Sequence, residues 1–238
     1  MWRRYVGAGL MFQALMLGGC EGQEAATVAA ERPIGNANEP VAQVPVAVPE
    51  RLVLAFGDSL YAGYGLNAGE SLPDRLQAEL RAAGVNATVV NAGVSGDTTA
   101  AGRQRFAFAL DSLARAPDLI LLGLGGNDVL RQIAPAETRA NMVAMLDEAK
   151  RRGVPVVLTG MQAPPNLGLD YARKFNTIWP DLAKQYDATL DPFILDGVVT
   201  NGQLMLPDRV HPNARGVTVI ADRLSPILTT KLKAQPAG

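Results

Sequence analysis

From Arg51 onward, short aliphatic runs alternate with longer amphipathic stretches five times over, and few folds accommodate that pattern. The runs are 51–56, 87–91, 119–124, 154–159 and a weaker pair at 189–190. They have the length and composition of buried strands. The run 119–124 is almost wholly aliphatic, which predicts a central parallel strand covered on both faces. Between the runs, 71–83 sets Leu72, Leu76 and Leu80 on one helical face and ends at Gly84. A second helix is expected at 98–113, capped by Asp97 or Thr98. A third spans 136–152, opened by Pro135 and closed by Gly153. A fourth is expected as one helix over 171–186. The last, 213–231, carries Val217, Ile220, Leu224, Ile227 and Leu228 at helical spacing, with Pro226 expected to kink or divide it. Alternation of this kind predicts an α/β domain with right-handed crossovers: a three-layer α/β/α arrangement around a five-stranded parallel sheet. Strand order does not follow from the pattern.

The chain has 238 residues, enough for one such domain, which we place at 50–232 with a tail at 233–238. Residues 1–20 have the plan of an export signal: Arg3 and Arg4, then an apolar segment too short to span a bilayer, which takes ~20 apolar residues. The segment ends in Leu17-Gly18-Gly19-Cys20, which resembles a bacterial lipobox, so Cys20 is the expected lipidation site and the only expected link to a membrane. Residues 21–49 are rich in Ala, Val, Pro and Glu without periodicity and read as a semi-extended tether.

Composition removes several functions. A net charge of −1 gives no electrostatic reason to expect nucleic acid. One cysteine excludes an intramolecular disulfide and a cysteine zinc site. His211 is the only histidine, so any imidazole base must be that residue. No metal or cofactor is expected.

The chemistry gathers at the strand exits. These carry Gly57-Asp58-Ser59, then Asn91 to Gly96, then Gly123 to Asp128, then Gly160 to Pro165. In a parallel sheet such exits share one edge and converge on one site. Near the C-terminus, Asp208-Arg209-Val210-His211 places a carboxylate and an imidazole three residues apart, close enough to meet on one turn. The aspartate would hold one ring nitrogen and leave the other to take a proton from Ser59. Asp58 is expected to bond backbone amides of its own turn, Asp128 to cap a turn, and Ser95 to sit in a loop leading a helix. Met161, Pro164 and Pro165 are candidate walls of a substrate pocket. Gly125-Gly126 lacks the following G-K-[ST] of a nucleotide loop.

With its blocks in order, Gly57-Asp58-Ser59-Leu60, Gly93, Gly125-Gly126-Asn127-Asp128 and Asp208-x-x-His211, the chain resembles the GDSL, or SGNH, hydrolases over roughly 51–228. Gly63 to Leu66, Asn91 to Thr98 and Ala163 to Asn166 look closest to the bacterial arylesterases and multifunctional periplasmic acyl-hydrolases of that family. The resemblance implies a flavodoxin-like, metal-free fold. It implies Ser59 as nucleophile, His211 as general base and Asp208 as its orienter. The implied oxyanion hole is formed by the Ser59 and Gly93 N–H groups with the Asn127 amide. The expected function is an exported or lipid-anchored serine esterase that acts on aryl or short-to-medium acyl esters through an acyl-enzyme. An envelope polysaccharide O-deacetylase, a lysophospholipase or a thioesterase would use the same residues. A non-catalytic lipoprotein that binds acyl chains or partners is the alternative of another class.

Overall fold

The structure is a computed structural model and describes residues 49–235. The expected signal segment, Cys20 and all but the last residue of the expected tether lie outside the described residues. Strand β1 (Arg51–Gly57) is followed by a short helix α1 (Ser59–Ala62), then α2 (Leu72–Ala82), β2 (Ala87–Gly93) and α3 (Thr99–Asp111). Next come β3 (Leu119–Gly123), α4 (Gly126–Leu130), α5 (Pro135–Arg151) and β4 (Val156–Thr159). The chain continues through α6 (Leu169–Asn176), α7 (Ile178–Tyr186), β5 (Thr189–Asp191) and α8 (Ala214–Lys233). The strands form one parallel sheet in the order β2-β1-β3-β4-β5.

Burial follows the strand period. Along β1, Val53 and Ala55 face one core, shared with Leu76 of α2 and Leu224 of α8. Leu54 and Phe56 face the other, shared with Phe106 of α3, Met145 of α5 and Leu182 of α7. Successive strand side chains point to opposite faces, so a strand buried on both sides must be apolar throughout. The expected three layers are therefore present.

The local signals set most helix starts. Ser71 caps α2 by accepting the Asp74 N–H, and Thr98 caps α3 by accepting the Ala101 N–H. The single helix expected over 171–186 is instead two, broken at Thr177. Pro180 explains the break: it has no N–H to give and its ring clashes with the carbonyl four residues back, so it favours a first turn, where it stands in α7. Pro226, by contrast, does not divide the last helix, because α8 is one element that runs through it. Pro226 and Asp222 are exposed, so the carbonyl released by the proline can reach water. Leu224, Leu228 and Leu232 hold the opposite face in the core. The domain also runs past the boundary expected at 232. Lys233 Nζ donates to the Ala83 carbonyl, and Gln235 bonds both Arg51 and Asp118.

The feature that positions the site is a row of glycines. Gly57 pairs in register with Gly93 on one side and Gly123 on the other, at the carboxyl ends of β1, β2 and β3. A Cβ at Gly57 would fall 2.3 Å from the Tyr61 ring, and one at Gly123 would fall 2.4 Å from the Tyr61 hydroxyl. At Gly93 it would fall 2.3 Å from the Ala62 nitrogen. Helix α1 therefore lies directly on the sheet edge. Tyr61 is fully buried there, and its hydroxyl is 2.8 Å from Thr159 Oγ1. Burial drives the Tyr61 pKa well above the ordinary phenol value.

Candidate active site

Ser59 is the first residue of α1. Asp58 caps that helix, its Oδ1 accepting the Leu60 N–H at 3.0 Å. The Ser59 Oγ lies 2.8 Å from His211 Nε2. His211 Nδ1 lies 2.7 Å from Asp208 Oδ2. These three side chains come from opposite ends of the domain sequence and meet at one hydrogen-bonded line. Such a line lets an imidazole take the serine proton while the carboxylate fixes its tautomer.

The turn that carries His211 is tied at both ends. Asp208 Oδ1 accepts the Val210 and His211 N–H groups at 2.9 and 3.0 Å. Arg209, between them, adopts a left-handed backbone with φ of 57°. Leu206 N–H donates to the His211 carbonyl at 2.7 Å, Met205 pairs with Pro212, and Asn213 then caps α8. The Tyr64 ring covers one face of the imidazole, with centroids 4.4 Å apart. Burial pushes the Asp208 pKa up. The bond to His211 and the two backbone N–H groups outweigh it and hold the carboxyl down at about 2. The partner of the imidazole is thus a carboxylate throughout the neutral range.

Asn127 is the second residue of α4. Its start is fixed by Gly125 at φ 110°, where a Cβ would collide with the Trp179 ring. The Asn127 Nδ2 donates to the Asp97 carbonyl at 2.9 Å, which orients the amide. An amide nitrogen has two N–H groups, and the residue also lines the cavity beside Ser59.

The glycine expected to supply an oxyanion donor is not at the cavity. The Gly93 N–H is taken by Asn91 Oδ1 at 2.9 Å, and the residue lies beneath Tyr61 and Ala62 in the glycine row. It is absent from the cavity wall, which includes Ser95 and Gly96 instead. Gly96 has φ of 88°, its carbonyl accepts from Arg131, and no acceptor among the described residues takes its N–H. The one signal for it in the sequence is a glycine immediately ahead of the Asp97-Thr98 helix cap.

Two supports were not legible beforehand. Arg105 of α3 binds Asp97 Oδ2 at 2.6 Å and donates to the Ala92 and Gly57 carbonyls at 2.8 and 2.9 Å. Its guanidinium also lies 3.9 Å from the Phe56 ring centroid. It therefore ties two strand exits to the loop that holds Asn127. Asp128, expected to cap a turn, does more: it is fully buried and accepts the Thr99 N–H and the Thr99 and Thr138 hydroxyls. Asp58, also buried, has its pKa pushed up to about 6, chiefly by loss of solvent. The Leu60 N–H and His211 oppose that rise, and Asp128 and Asp97 add to it.

The line of three side chains opens into a cavity of about 490 Å³. Leu60, Val129, Leu130, Leu195, Val199 and Val210 make most of its wall apolar. Met161 and Pro164 stand in that wall; Pro165 does not, and starts a 3₁₀ turn facing solvent. Among the described residues no group of three or more His, Cys, Asp or Glu side chains could hold a metal ion, and no helix is long and apolar enough to cross a membrane.

Residues 55–219 match the GDSL-like Lipase/Acylhydrolase family. The crystal structure of AlinE4, an SGNH-hydrolase family esterase, shares 52% identity and superimposes with a TM-score of 0.66 over 79% of this chain and 98% of that one. An arylesterase of Vibrio mimicus is 38% identical over 170 residues, 71% of this chain and 84% of that protein. Esterase TesA of Pseudomonas aeruginosa is 38% identical over 160 residues, 67% of this chain and 79% of that protein.

Proposed function

Because this chain belongs to the GDSL-like lipase/acylhydrolase family, and is a carboxylic ester hydrolase of it, we propose the following division of labour among its residues. Ser59 Oγ attacks the ester carbonyl while His211 Nε2 takes its proton, and Asp208 stabilises the imidazolium. The developing oxyanion is met by the backbone N–H groups of Ser59 and Gly96 and by the Asn127 amide, which are neutral donors in a largely apolar cavity. His211 then returns the proton to the departing oxygen, leaving an acyl group on Ser59. A water molecule, deprotonated by the same imidazole, attacks this ester and releases the acid.

The observation that carries this assignment is the unbroken line Ser59–His211–Asp208 at 2.8 and 2.7 Å. The apolar wall and volume of the cavity support acyl groups longer than acetyl. The names of similar proteins, arylesterase and esterase, support aryl and simple alkyl esters as substrates. The test is a series of p-nitrophenyl esters from acetate to decanoate. Turnover should peak between butyrate and octanoate and vanish in Ser59→Ala. A strict preference for acetate would replace this reading with an O-deacetylase.

The protein is further proposed to be exported through residues 1–20 and anchored by lipid at Cys20, on the strength of the Leu17-Gly18-Gly19-Cys20 sequence. Cys20→Ser should then move the protein from the membrane to the soluble fraction of cells. Unchanged membrane association would remove the anchor.

A further inference from the structure

Arg209 stands in the middle of the turn that delivers His211, at the cavity mouth. It is exposed, and its guanidinium makes no hydrogen bond or ion pair with any described residue. The neighbouring arginines are already engaged: Arg105 with Asp97 and two carbonyls, Arg131 with the Gly96 carbonyl. Among the described residues, Arg209 is the only one in the cavity wall with a permanent positive charge.

Its backbone supplies a second observation. Among the described residues, Gln132, Asp187 and Arg209 are the non-glycine residues with positive φ, and Arg209 alone of these lines the cavity. The Asp208 carboxylate bonds the Val210 and His211 N–H groups, and Arg209, between Asp208 and Val210, is held in the left-handed conformation. Glycine adopts that conformation without strain, whereas arginine adopts it at a cost. Strain held at a site mouth, on a side chain with no partner in the fold, points to a partner in the substrate.

Resting on the ester-hydrolase reading of the site, we propose that Arg209 is a specificity-determining residue that selects esters whose alcohol portion carries an anionic group, such as a phosphate, sulfonate or carboxylate. The side of the ester follows from the chemistry. His211 must face the departing oxygen to protonate it, and Arg209 lies on the same turn. A guanidinium offers such anions paired donors in a planar fork. The apolar part of the wall, Leu60, Val129, Leu130, Leu195 and Val199 among it, takes the acyl chain. The implied substrate class is an amphiphile, apolar on the acyl side and anionic on the alcohol side.

The test uses three esters: 1-naphthyl hexanoate, its ring-sulfonated analogue, and the 1-naphthyl monoester of adipic acid, whose charge sits on the acyl side. The ratio of kcat/KM for the sulfonated over the neutral ester is compared between parent and variants, which cancels their intrinsic difference in reactivity. Arg209→Gln and Arg209→Gly should lower that ratio about tenfold, the size of one charge-assisted hydrogen bond. Arg209→Lys should keep part of it, and Lys150→Gln, remote from the cavity, all of it. Raising salt to 0.5 M should shrink the parent's ratio toward that of Arg209→Gln, since an exposed pair is screened. Arg209→Gly should melt no lower than the parent, so its loss of preference is not unfolding. A ratio that survives in Arg209→Gln, or a change confined to the adipate ester, would overturn the proposal. If the neutral ester were not cleaved at all, the failure would lie with the hydrolase reading instead.

Discussion

One wall of the cavity is built on buried polar groups, whereas the opposite wall hangs on a turn exposed to solvent. On the Ser59 and Asn127 side, Asp128 is fully buried among the Thr99 and Thr138 hydroxyls and the Thr99 N–H. Arg105 joins two strand exits to Asp97. On the other side, Asp208 and Arg209 are exposed, and the turn is closed by bonds within one short segment, 205–212. Position is fixed in one case by tertiary burial and in the other by sequence spacing. Burial couples geometry to stability, because an unpaired buried group is costly. A local turn can lose chemistry while the fold stays intact. Mutations on the two sides should therefore separate rate from stability.

The largest expected effect is on the exposed side. Asp208→Asn should lower kcat by roughly 10³–10⁴, as the imidazole loses its tautomer control. The melting temperature should change by less than about 3 °C. A melt lowered by much more would mean that the turn supports the fold after all. Next, on the buried side, Asp128→Ala should lower stability by about 3–5 kcal/mol, because it strands two hydroxyls and an N–H inside the domain. A denaturant titration measures this. A fall as small as that for Asp208→Asn would erase the contrast between the walls.

The smallest expected effect is a dependence on pH. Asp58 has a folded pKa of about 6, above the ordinary 3.8, so the folded state holds its proton more tightly. Its contribution to stability is complete below about pH 4 and lost as pH rises through about 6. The stability of the parent relative to Asp58→Asn should thus decline by roughly 3 kcal/mol across that window. Parallel curves would show that Asp58 is better solvated than its burial implies. Asp208 has the opposite sign. Held at about 2, it supports the fold above the usual carboxylate range and loses that role only as pH falls through about 2.

The sequence disclosed the exposed wall far better than the buried one. Asp208 and His211 were legible because three residues of spacing decide whether they meet. Ser59 was legible as a serine at a strand exit, which a parallel sheet gathers on one edge, and Asn127 through the resemblance to the GDSL hydrolases. Gly93 was misassigned because its role depends on registry with Gly57 and Gly123 under Tyr61, which no local pattern records. Gly96 and Arg105 were missed for the same reason: the cavity wall and the Ala92 and Gly57 carbonyls exist only after folding. The break at Thr177 was within reach, because Pro180 disfavours an unbroken helix there and suits a first turn. The continuity of α8 through Pro226 was not, since it rests on which face of that helix meets water.

The central claim is that the Ser59 hydroxyl, held against His211, forms the covalent intermediate. Its most direct test is intact-mass and peptide mass spectrometry after brief reaction with a fluorophosphonate. The account predicts one adduct, on the peptide containing Ser59, with loss of ester turnover in proportion to labelling and no adduct in Ser59→Ala. An adduct on another residue, or full ester turnover by Ser59→Ala, would contradict it.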